Sequence, residues 1–274
     1  MPSGVLLNLS FGREKDYFMA VKLFVLGCSG SGKSTAANYF IMLAKNAGYS
    51  AIRLNDYEIL YRMFKAEIKS PSQQFGHALY GGFEVLDLTL YDAALMRLEE
   101  VVEELYSQTD KLIIIEFARA DYSKAMRLFS DGFIRNSYFL FIDADQDICI
   151  CRIHNRVLHQ TTLDDHFVPE HVVKAFRHKA NKQYMASDLK TDYGLTDERI
   201  KIIDNTGASL SFFKMISRFA DDIFMQEMRK SGKTEQLTLF TVATSNEKFD
   251  REAHVSQETE PVKIVTVVDE STEI

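Results

Sequence analysis

Val21-Lys22-Leu23-Phe24-Val25-Leu26-Gly27 runs directly into Cys28-Ser29-Gly30-Ser31-Gly32-Lys33-Ser34-Thr35. The first seven residues are apolar except for Lys22 and rich in β-branched and aromatic types, which predicts a short buried strand. From Gly27 to Thr35 the chain satisfies in full the pattern Gly, any four residues, Gly-Lys-Ser/Thr, and helical spacing follows over 34–47 with Gly48 as a cap. Strand, glycine-rich turn and helix in that order make a cradle for phosphate. Gly27, Gly30 and Gly32 let the backbone curl so that successive N–H groups, those of Ser29 and Ser31 among them, converge on phosphate oxygens. The helix N-terminus adds partial positive charge at the same point. Lys33 is placed to reach the β- and γ-phosphates, the Ser34 hydroxyl suits Mg²⁺, and Thr35 lies near the α-phosphate. The expected ligand is ATP with Mg²⁺. Ser231-Gly232-Lys233-Thr234 repeats four letters of the motif but has neither a preceding strand nor an upstream glycine, so it carries no such expectation.

Outward from this loop, strands alternate with helices. Further strands are expected at 50–55, 111–117, 137–143 and 199–204. Helices are expected at 57–64, 83–106, 122–130, 146–157, 169–187 and 210–228, with a polar loop around Pro71, Gly76, Gly81 and Gly82. The fold class is therefore α/β, a three-layer α/β/α arrangement around a five-stranded, mostly parallel sheet. Residues 1–20 read as an extension in which Met19 directly precedes the first strand. Residues 21–228 form the expected domain, and 229–274 an acidic, flexible tail with one further strand candidate at 262–268.

The formal net charge is −7 over 274 residues, and the stretch 244–274 alone holds eight acidic and three basic residues. The rest is close to neutral, which argues against a global nucleic-acid-binding surface. There is no run of ~18 uncharged apolar residues, so no membrane span is expected. Three cysteines do not make a disulfide framework, and a reduced, cytoplasmic setting fits. Cys149 and Cys151 lie two apart on an expected helix and point to different faces, so with the nearby histidines they make a poor zinc site.

Four further segments bear on chemistry. Asn55-Asp56-Tyr57 places Asp56 at the carboxyl edge of a strand, beside the phosphate loop, as a magnesium contact or a helix N-cap. Glu116 in Glu116-Phe117-Ala118-Arg119 emerges from the apolar run 112–115, a position suited to a magnesium-bound water. Arg152 and Arg156 are four apart and share one helix face. Ile203-Asp204-Asn205-Thr206-Gly207 ends the last strand in a turn. Taken in order with the phosphate loop, these segments resemble the P-loop nucleoside and nucleotide kinase-like phosphotransferases over about 21–224.

The resemblance implies that Arg119 grips acceptor or transferring phosphate, although Glu116 stands where such enzymes more often have Asp. It implies that Arg152 and Arg156 neutralise charge on the γ-phosphate at the root of a lid, about 157–170. It also implies that Asp56 is the catalytic base that takes the acceptor proton, and that the turn at Asn205 passes the adenine. The acceptor would lie against 64–87, where Phe75, His77, Tyr80, Phe83 and Asp87 are candidates. Gln236-Leu237-Thr238-Leu239-Phe240 resembles the short peptide by which bacterial replication and repair proteins bind the sliding clamp. The expected activity is transfer of the γ-phosphoryl group of ATP to a hydroxyl or phosphate of a nucleoside, nucleotide or nucleic-acid end. The alternative is a P-loop ATPase that recruits a partner through its tail.

Overall fold

The structure, a computed structural model, describes residues 20–69, 73–106, 111–176 and 179–230. All of them belong to the first of the two units into which the chain divides, Met1–Gly232. The extension before residue 20 with its Met19, the clamp-like peptide 236–240 and the strand candidate 262–268 lie outside the described residues.

Among the described residues there are seven strands: β1 (Val21–Gly27), β2 (Ser50–Asn55), β3 (Phe75–His77), β4 (Phe83–Val85), β5 (Lys111–Phe117), β6 (Ser137–Asp143) and β7 (Ile200–Asp204). Five of them form one parallel sheet in the order β2-β5-β1-β6-β7, and β3 pairs antiparallel with β4 as a separate hairpin. β1 lies at the centre, where the order of connection reverses on either side, and that is where a ligand crevice opens in such sheets. Its residues alternate between two cores. Val21, Leu23 and Val25 join the helices α1 (Lys33–Asn46) and α10 (Ser209–Lys230). Phe24 and Leu26 face the other way, into Ile113, Ile115, Phe139 and Phe141, and the Phe24 and Phe139 rings stack 5.0 Å apart. Coverage on both faces is why the β1 run is apolar throughout rather than alternating.

The remaining helices are α2 (Asp56–Lys69), α3 (Thr89–Tyr106), α4 (Tyr122–Met126), α5 (Asp131–Arg135), α6 (Gln146–Val157), α7 (Glu170–Phe176), α8 (Lys179–Gln183) and α9 (Leu189–Tyr193). Three expectations need correcting. The helix expected from 83 begins only at Thr89, because Phe83 and Val85 alternate with Glu84 as a strand and Asp87 accepts from the N–H and hydroxyl of Thr89. The helix expected at 122–130 is two short ones, since Ser130 caps the second by accepting from Phe133 N. The helix expected at 169–187 is interrupted and reaches Tyr193, with a wide π turn at Tyr184–Asp188. Among the described residues no helix is long and apolar enough to cross a membrane.

Candidate active site

The phosphate loop is built as the motif requires. Gly30 has φ +81, and a Cβ there would sit 2.4 Å from the Cys149 carbonyl oxygen on α6. Gly27 has φ +142, and its Cβ would meet Ile142 O at 2.3 Å. No side chain fits at either position. The loop is braced from three sides. The Tyr122 hydroxyl accepts from Gly27 N at 2.8 Å, Asn205 Nδ2 donates to Ser31 O at 2.8 Å, and Lys33 Nζ donates to Cys28 O at 3.0 Å. Cys28 and Cys149 lie buried with their sulfurs 3.3 Å apart, and hydrogen bonding and burial push the Cys149 thiol up, so it is held protonated. Cys151, on the other face of α6, is exposed.

Ser34 Oγ donates to Glu116 Oε1 at 3.0 Å, and Glu116 is buried at the end of β5. A hydroxyl and a carboxylate, both hard oxygen donors at the mouth of the phosphate loop, fit Mg²⁺, held directly or through water. Asp56, the third residue considered for the metal, sits elsewhere. Its carboxylate pairs with Arg119 Nη1, and both residues are buried. Nor does Asp56 cap α2: Asn55 Oδ1 accepts from Glu58 N at 2.8 Å and does so instead. Arg119 also donates to Ala118 O and Tyr91 O, each at 2.7 Å, and its guanidinium lies 4.9 Å from the Tyr91 ring centroid. Arg119 thus pairs with a carboxylate distant in sequence and not with the nearby Glu116, which meets Arg53, or Asp121, which meets Lys124. Asp121 also caps α4.

Arg152 and Arg156 both line the cleft, as their spacing on α6 implied. Arg152 Nη2 donates to Asn205 O at 2.9 Å, so that Arg152, Asn205 and the phosphate loop form one bracket. Asn205 thus gives its side-chain amide to the loop, and any contact with adenine falls to the backbone of its turn. Arg156 Nη2 donates to His166 O at 2.9 Å, and burial lowers the guanidinium pKa despite Asp164 and Asp165 nearby. Arg119 Nε and Arg156 Nε are both buried without a hydrogen-bond partner.

The cleft between these groups, of about 380 Å³, runs from Ser29–Thr35 to an aromatic wall of Tyr57, Phe83 and Tyr91, and is closed by 164–169. Tyr57 stacks on His166 with centroids 3.5 Å apart and planes within 8°, and on Phe83 at 5.2 Å. Burial pushes the Tyr57 hydroxyl up to about 12, so it stays protonated, and drives the His166 imidazole down to about 3, so it stays neutral. Of the acceptor candidates only Phe83 reaches this wall. Phe75 and His77 pack edge-on against Phe64, Tyr80 leans on Phe167, and Asp87 caps α3.

Sequence reasoning missed Arg53, Tyr57, Tyr122, Asp164 and Asn181. Asn181 is buried, accepting from Tyr122 N and donating to Ala120 O. The one local signal was Arg53, a cation placed inside a strand.

No protein-family model matches the chain. Over 140 residues, 50% of this chain and 67% of the other, it is 28% identical to UMP-CMP kinase from Gallus gallus. Among solved structures, the APS kinase of Mycobacterium tuberculosis in complex with AMPPNP and APS is 15% identical with a TM-score of 0.44, over 77% of this chain and 98% of that one. A gluconokinase from Sinorhizobium meliloti is 18% identical with a TM-score of 0.37, over 76% and 98%. A shikimate kinase from Acinetobacter baumannii in complex with shikimate is 9% identical with a TM-score of 0.40, over 77% and 94%. Likeness at these levels leaves the chemistry to be argued from the residues. The chain has a P-loop kinase-like α/β fold and is similar over half its length to a nucleotide kinase.

Proposed function

We propose that this protein is a kinase that transfers the γ-phosphoryl group of ATP to an acceptor bearing a nucleobase: a nucleoside, a nucleotide or a nucleic-acid end. The observation that carries the reading is the pairing of the cations in the cleft. Lys33, Arg152 and Arg156 are tied to backbone carbonyls, which orient a cation without neutralising it. Positive charge concentrated beside a phosphate loop stabilises the charge spread over a phosphoryl group in flight. The Nε donors of Arg119 and Arg156 have no protein partner, and an added anion satisfies them. A protein that only binds nucleotide has no need of two such donors on the acceptor side of the loop.

Three aromatic rings on the opposite wall support a planar acceptor, and so does the similarity to a kinase of that printed name. Asp56, held by Arg119 in the same wall, is placed to take the acceptor proton. Mg²⁺ held at Ser34 and Glu116 would neutralise charge on the phosphates. The loop at 164–169 covers the cleft and excludes water, which would otherwise compete as acceptor.

The test is ATP turnover by purified protein against nucleosides, nucleoside monophosphates, 5′-hydroxyl oligonucleotides and simple sugars, with Lys33→Ala as control. Stimulation by a base-bearing acceptor, lost in Lys33→Ala, is the expected result. Stimulation by a sugar alone would refute the acceptor class, and flat turnover across the panel would refute the kinase.

A further inference from the structure

Arg53 is the residue that ties the cleft together, and no motif singles it out. It lies on β2 with its side chain 13% exposed. Nε donates to Glu116 Oε2 at 2.7 Å and Nη2 to Ser34 Oγ at 3.0 Å. The two terminal nitrogens clasp both oxygens of Asp164, at 2.5 and 2.7 Å, in the bidentate geometry that suits a guanidinium. Burial works against this charge, but Glu116 and Asp164 override it and hold the guanidinium above its ordinary pKa. One cation therefore joins the two oxygen donors that suit Mg²⁺ to the 164–169 segment that closes the cleft. Asp164 sits in a short turn stapled by Thr162 and Asp165, so movement of its carboxylate moves the turn.

We infer that Arg53 is a positioning residue that couples the divalent-cation site to the lid. The guanidinium and a divalent cation draw on the same Ser34 hydroxyl and Glu116 carboxylate, and two positive charges there repel. A cation that takes these oxygens weakens Arg53's hold on them and drives it outward, loosening its clasp on Asp164, so the lid reports occupancy of the cation site. The reverse holds by linkage: fastening Asp164 to Arg53 raises the cation concentration the site requires. This inference rests on the reading of Ser34 and Glu116 as the cation's ligands.

The experiment uses the full chain with ADP as probe. Calorimetry gives the Mg²⁺ concentration at half-maximal ADP affinity, and hydrogen exchange gives the protection of 161–168. Arg53→Met removes the competing charge and is expected to lower the required Mg²⁺ at least about fivefold, the lower end of ordinary coupling. Arg53→Lys, which keeps the charge without the bidentate grip, is expected to fall between Arg53→Met and wild type. Asp164→Asn keeps the shape and removes the charge, and is expected to speed exchange over 161–168 at least about fivefold. It also covers the case in which Arg53→Met fails to fold. An unchanged or raised Mg²⁺ requirement in Arg53→Met overturns the inference, as does unchanged exchange in Asp164→Asn. If ADP binding by wild type is indifferent to Mg²⁺, the cation reading falls too. If only the variants fail to respond, that reading stands and the role of Arg53 falls.

Discussion

Lowering the pH from 7 to 5 should open the lid, and His166 should be the residue responsible. The imidazole is stacked on Tyr57, its Nδ1 lies 2.9 Å from Leu163 O, and burial holds its pKa at about 3. Arg156 and Lys33 push the same way, while Leu163 O and Asp164 oppose them. An open lid returns the ring to water and to a pKa of about 6.5. The folded pKa is depressed for a base, so the open form binds the extra proton. The stabilisation is therefore complete above about 6.5 and drains away as pH falls toward 3. At about 1.36 kcal/mol per unit, the window between 6.5 and 5 is worth about 2 kcal/mol, or roughly 25-fold in the opening equilibrium.

Hydrogen exchange over 161–165 reads this directly. The N–H groups of Thr161 and Thr162 are held by Asp165 Oδ2, that of Asp164 by Thr162 Oγ1 and that of Asp165 by Thr162 O. After correction for intrinsic exchange, protection should fall roughly 25-fold between pH 7 and 5 in wild type and stay level in His166→Phe, which keeps the stack without the proton. Asp165 does not confound the comparison, because hydrogen bonds from Thr161 and Thr162 outweigh burial and lower its pKa, leaving it ionised across the window. Equal loss of protection in both proteins would show that another group drives the opening, and level protection in both would show that His166 titrates freely in the folded state; either result would refute the argument.

Two other substitutions test the phosphate loop and the acceptor wall. Gly30→Ala forces a Cβ against the Cys149 carbonyl at a positive φ and costs roughly 1–2 kcal/mol from backbone strain alone, so ATP affinity by calorimetry should fall at least about fivefold. Unchanged affinity would mean that the loop adopts another shape with nucleotide. Asp56→Asn leaves the buried Arg119 without its counter-charge and should lower stability by roughly 1–3 kcal/mol, or some 2–10 °C in melting temperature. Turnover should also fall by about 10²–10⁴-fold, as for a lost base. A lower melting temperature with full turnover would leave Asp56 a counter-ion and nothing more.

What was legible in the sequence is what the chain encodes locally. Gly27 to Thr35 needs only its own residues and a preceding strand to declare itself, and the apolar runs of β1, β5 and β6 declare a sheet covered on both faces. Asp56, Glu116 and Arg119 could be placed together at one edge, where they line the cleft, because the carboxyl ends of parallel strands converge. Their partners were not found, because whether Arg119 meets Glu116, Asp121 or Asp56 depends on strand order, and strand order leaves no mark on local pattern. The same holds for Tyr57 on His166 and Arg53 on Asp164, joined across more than a hundred residues. The segment 83–106 misled for a different reason. Phe83-Glu84-Val85 is too short to show a period of two distinctly, and the helical spacing that follows extends through it.

Arg119 and Arg156, the cleft arginines whose buried Nε has no partner, should respond oppositely when lost, and that contrast separates a ligand site from scaffolding. Arg119 is buried against Asp56, so Arg119→Met strands a carboxylate and should cost about 3–5 kcal/mol. Arg156 has a carbonyl for its direct partner, a buried Nε with none, and a pKa lowered by burial, so the fold bears its charge at a cost. Arg156→Met, which fills much the same space with apolar atoms, should therefore leave stability unchanged or raise it by about 1 kcal/mol, since residues kept for function are often not kept for stability. Its turnover should nonetheless fall by about 10²–10³-fold, the scale of one lost preorganised donor. Thermal melts and steady-state rates on both variants decide the matter. If Arg156→Met destabilises as much as Arg119→Met, its charge is already compensated within the fold and is not reserved for a phosphoryl group. If it stabilises and inactivates together, the cost carried at position 156 is there because an anion comes to meet it.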